Sequence, residues 1–384
     1  MRILHLMLGC FYIDNYNYQE NVLPRQNKLD GHDVRIIAST ETFFDNLHPG
    51  FVQPRSYINE DDIHVIRLPY KIIINHYIST KLRIYPKVYQ LLVSFSPDVI
   101  FCHGIQTFEL KTLVKYKTNY PDVRLYFDSH ADFNNSATSY LSRRILHQMY
   151  YKWLIIKALP IMDTIFCVNY EAILFLEKMY KVPRNVLVLY PLGGEILDDN
   201  IRNDKRNYLR KLLNLDENDI LLIHSGKMTK EKRTEDILKA FSSIKRKNLR
   251  LMLIGLFAED VELSVKEYLK NDHRINYVGW KSTSELVNYL CAGDLYVQPG
   301  SQSATMQNAL CYGCAAALYP HESHKYLLGD KVFYVETVED MEQLFDDISL
   351  NRNILEEKRL RSFEFAKATL DYKKLAEMLY GINS

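Results

Sequence analysis

The residues best suited to chemistry lie in Leu221–Phe241, LLIHSGKMTKEKRTEDILKAF, where an apolar run meets Ser225, Gly226 and the lysines Lys227 and Lys232 before a helical pattern begins at Ile237. A strand that turns through a glycine into a helix leaves backbone N–H groups unpaired at the helix start, and nearby ammonium groups reinforce a field that holds phosphate. The ATP-type phosphate loop is excluded, because Leu221 stands where its first glycine is needed and Met228 follows Lys227 in place of Ser or Thr. An ordinary strand-to-helix turn with solvated lysines is the other reading of this segment. A second cluster, Asp128-Ser129-His130-Ala131-Asp132, follows another apolar run. A histidine at a strand end suits proton handling or a hydrogen bond to a ligand, and it suits a purely structural role as well.

These residues need a frame, and the sequence supplies one. Apolar runs at Arg2–Leu8, Asp33–Ala38, Ile63–Leu68, Val99–His103, Arg124–Asp128 and Thr164–Val168 read as strands. Between them, Ser79–Ser94 and Ser139–Leu159 carry helical spacing. The alternation pauses at YPLGGEILDDNIRN (Tyr190–Asn203) and resumes with runs at Leu221–His224, Arg250–Ile254, Ile275–Tyr277, Leu295–Gln298, Ala315–Tyr319 and Val332–Val335. The expectation is an α/β protein of two domains, 1–195 and 196–360, each a mainly parallel sheet covered by helices. A last helical stretch from Ile354 to Tyr380, within 361–384 for the most part, is expected to cross back to the first domain. Two such halves leave a cleft at the carboxyl ends of their strands, where ligands bind.

Composition narrows the function. The 384 residues suit two domains. A net charge of +1 offers no basic stripe for nucleic acid. No uncharged run approaches the ~20 apolar residues of a membrane span, and the N-terminus lacks a secretory pattern, so a cytoplasmic protein is expected. The six cysteines sit mostly in apolar runs, and Cys311 and Cys314, although spaced as C-x-x-C, are expected to pack rather than react.

Taken in order, the motifs resemble the retaining glycosyltransferases of family 4, with two Rossmann-like domains facing across a cleft (the GT-B type). Gly31-His32-Asp33-Val34 resembles the family's "GH-V" start of the second strand, and Pro191-Leu192-Gly193-Gly194-Glu195 its "P-G-D" linker. Gly226-Lys227 with Lys232 resembles its "GR…K" pair, and Tyr277-Val278-Gly279-Trp280 with Glu285-Leu286 its "F-G…eL" stretch at the nucleobase. The resemblance implies that Lys227 and Lys232 neutralise the diphosphate of a nucleotide-sugar donor, of UDP or GDP type, with Gly226, Tyr277, Gly279 and Trp280 beside it. A lysine replaces the usual arginine, so a point charge replaces a bidentate fork. His130 resembles the histidine that relatives place near the transferred sugar. Gly9–Asn21 stands where relatives carry a glycine-rich loop, and here Tyr16, Tyr18, Gln19 and Glu20 either contact an acceptor sugar or begin a helix. The resemblance implies no cofactor beyond the donor, and the sequence has no D-x-D triplet of the kind that holds a metal in another large class of glycosyltransferases.

One segment departs from the family. Relatives carry a spaced pair of glutamates where this chain has QPGSQSATMQNALCYG (Gln298–Gly313), with Gly300 and Asn308 at the two positions. Either Ser301, Gln302, Ser303, Ala304, Thr305 and Asn308 hold the donor with neutral groups, or donor binding has been lost. Three functions follow: transfer of a sugar to a glycan or lipid-linked acceptor in surface polysaccharide or glycolipid synthesis, nucleotide-sugar 2-epimerisation, or a catalytically silent homologue acting as a complex partner. Ser142–Leu159 interleaves Arg143, Arg144, Lys152 and Lys157 with Tyr150, Tyr151 and Trp153, which suits peripheral contact with the inner face of a membrane and equally a core helix with basic flanks.

Overall fold

Short apolar runs become strands because a buried backbone finds its hydrogen-bond partners in a neighbouring run. In the computed structural model, which describes residues 1–44 and 48–381, they form two units, Met1–Pro191 with Leu375–Ser384, and Leu192–Lys374. Residues 382–384, the end of the expected C-terminal segment, lie outside the described residues.

The first unit holds β1 (Arg2–Met7), β2 (Asp33–Ser39), the antiparallel pair β3 (Glu41–Phe44) and β4 (His48–Phe51), then β5 (Ser56–Ile58), β6 (His64–Leu68), β7 (Val99–Cys102), β8 (Arg124–Ser129), β9 (Thr164–Cys167) and β10 (Leu187–Leu189). Its main sheet has the order β10-β9-β8-β7-β1-β2-β6-β5, parallel except for β5. One face packs Leu4, Leu6, Ile100, Leu125 and Phe127 into a continuous apolar core. The second unit holds β11 (Ile220–Met228), β12 (Leu249–Phe257), β13 (Ile275–Tyr277), β14 (Leu295–Gln298), β15 (Ala315–Leu318) and β16 (Phe333–Tyr334) in one parallel sheet ordered β13-β12-β11-β14-β15-β16. In both sheets the strand order reverses beside the first strand, between β1 and β7 and between β11 and β14. Two crossovers run in opposite directions there, so the loops part and leave a crevice at the carboxyl ends of the strands.

Three expected elements differ. The chain does not turn into a helix at Gly226: β11 pairs with β12 as far as Met228–Phe257, and the helix Thr234–Ser243 follows a short 3-10 turn, Lys230–Lys232. Ladder pairing that continues past the glycine is the reason. The stretch Ser79–Ser94 is two helices, His76–Leu82 and Val88–Phe95, separated by Arg83 and Lys87 in left-handed conformation around Pro86, which cannot extend a helix. The stretch Ile354–Tyr380 breaks after the helix Arg352–Thr369, because Leu370 O accepts from Gly194 N and Tyr372 N donates to Gly194 O, taking up groups a continuous helix would need.

Asp294, just before β14, anchors the second unit. Its carboxylate is fully buried and meets Arg206 at 2.5 Å, Arg210 at 3.0 Å, Arg352 at 3.3 Å and Arg359 at 3.7 Å, and accepts from Leu221 N at 2.8 Å. Burial opposes its charge, but the guanidinium groups, Arg206 foremost, hold the carboxyl below its ordinary range. The six cysteines are free thiols, and Cys314 Sγ rests on Leu290 O at 3.0 Å.

Candidate functional sites

In the second unit the crevice between β11 and β14 is built from the segment that drew attention in the sequence. Lys227 is exposed near the end of β11. Lys232 is partly buried in the following turn, and its ammonium donates to Ser301 O at 3.1 Å and Gln302 O at 3.3 Å. Burial lowers the pKa of that amine. The two backbones lie so close that a Cβ on Gly300 would meet Glu231 O at 2.1 Å, and Ser301 N donates to the same carbonyl at 2.8 Å. The next residue, Arg233, donates to Pro299 O at 3.1 Å and Glu336 O at 2.8 Å. Two consecutive basic residues therefore pin the 299–302 loop. An ammonium has three N–H groups, so Lys232 keeps one for a ligand.

Other expected donor residues gather around the same strand ends. Gly226 and Gly255 are register partners on β11 and β12, and both lie at positive φ, 121° and 143°. A Cβ on Gly255 would stand 1.8 Å from Gly226 O, so only glycine fits there. Gly255 N donates to Gly279 O at 2.9 Å, and Tyr277 Oη donates to Gly255 O at 2.9 Å, which brings Tyr277 and Gly279 beside Gly226. Trp280 is 61% exposed. Ser303 Oγ accepts from Thr305 N at 3.3 Å, at the start of the helix Thr305–Cys311 that Ala304 precedes. Gln302 Nε2 donates to Ser323 Oγ at 3.2 Å. Asn308 is oriented differently: a Cβ on Gly194 would meet its Oδ1 at 2.8 Å, so its amide packs on the linker glycine.

In the first unit the loops after β1, β7 and β8 line a cavity of about 590 Å³ that includes Gly9, Cys10, Glu20, Glu41, Arg83, Gly104, Gln106, His130, Ser136, Thr138 and His147. His130 follows β8 directly, with 38% of its side chain exposed and Nε2 3.7 Å from Asp128 Oδ2. Burial disfavours its charged form, but the Asp128 carboxylate prevails and raises the imidazole to about 9. Asp128 itself is fully buried, and although burial opposes its charge, His103 and His130 hold it well below the ordinary carboxylate range. Arg83 donates to Gly9 O and Gln106 O.

Of the four expected acceptor residues, Glu20 lines this cavity. The helix begins at Gln19, whose amide is buried, and Tyr18 is the residue before it, ring to ring with Tyr16 at 4.4 Å. Sequence reasoning passed over Arg83, Glu41 and Gln106. Arg83 ends one short helix in the left-handed conformation, a feature that only the Pro86 break hinted at.

The helical segment Ser142–Ala158 starts as a wide-turn helix, Ser142–Tyr151, and continues as Lys152–Ala158. His147, Tyr151, Leu154, Ile155 and Ala158 are buried, while Leu141, Ile145, Met149, Trp153 and Ile156 form an exposed stripe. Among the described residues no helix is long and apolar enough to cross a membrane.

Compared with curated protein sequences, the chain has no match. Among solved structures it is similar to HepE from Anabaena in complex with UDP, at 12% identity and a TM-score of 0.68 over 99% of this chain and 98% of that one. It is also similar to a glycosyltransferase from Rickettsia africae, at 13% identity and a TM-score of 0.66 over 99% and 97%. WaaG, a glycosyltransferase involved in lipopolysaccharide biosynthesis, aligns at 14% identity and a TM-score of 0.60 over 99% and 100%. The chain therefore has the GT-B fold of two Rossmann-like α/β domains, and within it residues 205–363, which include Lys227, Lys232 and the 299–302 loop, match the family model described as glycosyl transferases group 1.

Proposed function

We propose that this protein is a retaining glycosyltransferase that moves a sugar from a nucleoside-diphosphate donor, of UDP or GDP type, to a hydroxyl of a glycan or lipid-linked acceptor in surface polysaccharide or glycolipid synthesis. The observation that carries the reading is the Lys232 ammonium, held against the 299–302 loop at the point where the second sheet reverses, inside the segment that matches the glycosyl transferase model. The UDP bound in HepE supports a nucleotide donor.

The chemistry follows from the charges. As the bond between the anomeric carbon and the phosphate oxygen breaks, negative charge grows on the diphosphate, and Lys227 and Lys232 stabilise it with no metal required. The acceptor hydroxyl attacks the same face, its oxygen bonding to the anomeric carbon while its proton passes to the departing phosphate. His130 positions the sugar, and the cavity containing Glu20, Glu41 and Arg83 receives the acceptor. Tyr277 and Trp280 flank the base, and neutral groups of 301–305 take the place of the glutamates. The exposed stripe of 141–156 with its basic neighbours carries peripheral contact with the cytoplasmic face of an anionic membrane.

The test is calorimetric titration with UDP and GDP, followed by incubation with the corresponding nucleotide sugars. Binding together with release of nucleoside diphosphate supports transfer. Epimerised donor in the absence of acceptor would instead indicate an epimerase, and no nucleotide binding a silent homologue.

A further inference from the structure

A row of polar side chains runs from the half-buried Asp30 and Tyr380 through Asn27 to the fully buried His5, His103 and Asp128 at the central strands of the first sheet. Asp30 Oδ2 contacts Tyr380 Oη at 2.7 Å, and Tyr380 Oη contacts Asn27 Nδ2 at 2.8 Å. Asn27 Oδ1 meets His5 Nε2 at 2.8 Å, and His5 Nδ1 meets His103 Nε2 at 2.9 Å. His103 Nδ1 lies 2.9 Å from Asp128 Oδ2, and Asp128 Oδ1 accepts from Gly104 N at 2.7 Å. His5, His103 and Asp128 are fully buried.

Each contact admits one proton, which fixes the direction of the row. Asp30 is a carboxylate and has no proton to give, so Tyr380 donates to it. Tyr380 then accepts from the Asn27 amide, which leaves Asn27 Oδ1 as an acceptor. His5 Nε2 must donate to that oxygen. A neutral His5 has then spent its only N–H, and burial together with the neighbouring His103 does hold its pKa down to about 3. Its Nδ1 accepts, so His103 Nε2 donates. The Asp128 carboxylate, 2.9 Å from His103 Nδ1 although not aligned with it as a hydrogen bond, favours a proton on that nitrogen through its charge.

We infer that this row is a directional relay, in which the Asp30–Tyr380 contact at the C-terminal tail holds His103 as an imidazolium and thereby tunes the charge on His130. His103 and His130 share Asp128, so a cation at His103 draws on the field that would otherwise favour a cation at His130. The charged and titratable groups that face His130 across its cavity are Asp128 from β8, Glu20 from the helix Gln19–Leu29, Glu41 from β3, Lys81 and Arg83 at the end of the helix His76–Leu82, His147 from Ser142–Tyr151, and the Cys10 thiol and Tyr151 phenol. Tyr380 and Asp30 are positioning residues that act through the row. The part of the proposal that concerns sugar transfer rests on the role given to His130 above, whereas the protonation states do not depend on it.

The test is nitrogen-15 NMR of the histidine rings in the full chain, for wild type, Asp30→Asn and Tyr380→Phe. The wild type is expected to show His5 neutral with its proton on Nε2, and His103 protonated at both nitrogens at neutral pH. Either substitution frees Asn27 to turn its amide and donate toward His5, so that His103 loses one proton and the His130 midpoint rises by roughly one pH unit. Asp30→Asn lies at the outer end of the row and keeps the test open if Tyr380→Phe folds poorly. A neutral His103 in the wild type, or a His130 midpoint that stays or falls in a folded variant, overturns the relay. Correct ring states with no sugar transfer would overturn the proposed function and leave the relay standing.

Discussion

Replacing Lys232 by methionine keeps most of the unbranched side chain and removes its ammonium group. In the structure that ammonium has two roles. It donates to Ser301 O and Gln302 O, and under the proposed function its remaining N–H serves the diphosphate. The first role sets a stability cost: two hydrogen bonds from a charged donor are worth about 1.5–3 kcal/mol each at most, and less for a partly exposed group, so a total near 2 kcal/mol is expected. For a domain of 150–250 residues that lowers the melting temperature by roughly 4–8 °C. The second role sets the catalytic cost. Loss of a preorganised donor aimed at developing negative charge lowers kcat by about 10²–10³-fold. Lys227, exposed at the strand end, is a looser charge, and Lys227→Met is expected to lose about fivefold or less, as for an exposed ion pair. The assay is nucleoside diphosphate release from whichever donor the wild type uses, with UDP titration by calorimetry alongside. Lys232→Met within threefold of wild type, or Lys227→Met as the more damaging change, refutes the assignment of Lys232 to the diphosphate.

Four further outcomes are expected. Asp294→Asn leaves Arg206, Arg210, Arg352 and Arg359 without their common carboxylate and is expected to cost about 3–5 kcal/mol in chemical denaturation, with a loss under 1 kcal/mol counting against the network. His224, between Val297 O and Thr234 Oγ1, is buried and held at about 4, so the unfolded chain binds its proton first; its contribution of about 3 kcal/mol is complete above pH 6.5 and declines as pH falls toward 4, and His224→Gln should flatten that part of the stability profile. Gly255→Ala drives a Cβ into Gly226 O at a φ that disfavours side chains and is expected to cost roughly 2–5 kcal/mol in the same denaturation experiment. The double change Ile145→Glu with Met149→Glu is expected to abolish co-sedimentation with vesicles of anionic lipid while leaving nucleotide binding unchanged; retained sedimentation would remove the helix from any membrane role.

Much of the frame was legible because a parallel strand buried on both faces writes itself as an unbroken apolar run. Ile275–Tyr277 and Leu295–Gln298 even coincide with the strands observed. Gly226 misled for a physical reason. Glycine before lysine after an apolar run looks like a turn, but whether a chain turns depends on its neighbour, and Gly255 on β12 continues the ladder beside it. The polar row had a local signal that stayed unread: His5 within RILHLM, His103 closing VIFCH and Asp128 in RLYFDS are polar residues in runs that must be buried, and each needs a partner. The identity of those partners is not local. His5 and His103 are 98 positions apart, and Asn27 and Tyr380 are 353 apart. Lys232 was found from its spacing, whereas the carbonyls that hold it lie on the segment whose missing glutamates made that segment look emptied of function.

The bridge between Gly194 and Asp371 carries a topological consequence. The chain passes into the second unit at Leu192 and leaves it after Lys374, and this bridge joins the incoming and outgoing segments within that unit. The first unit closes its own gap, with Tyr190 Oη donating to Leu375 O at 2.7 Å. The second unit is thus an insertion whose two ends are already tied together. It can therefore be excised or exchanged as one piece, without threading any strand of the first unit anew.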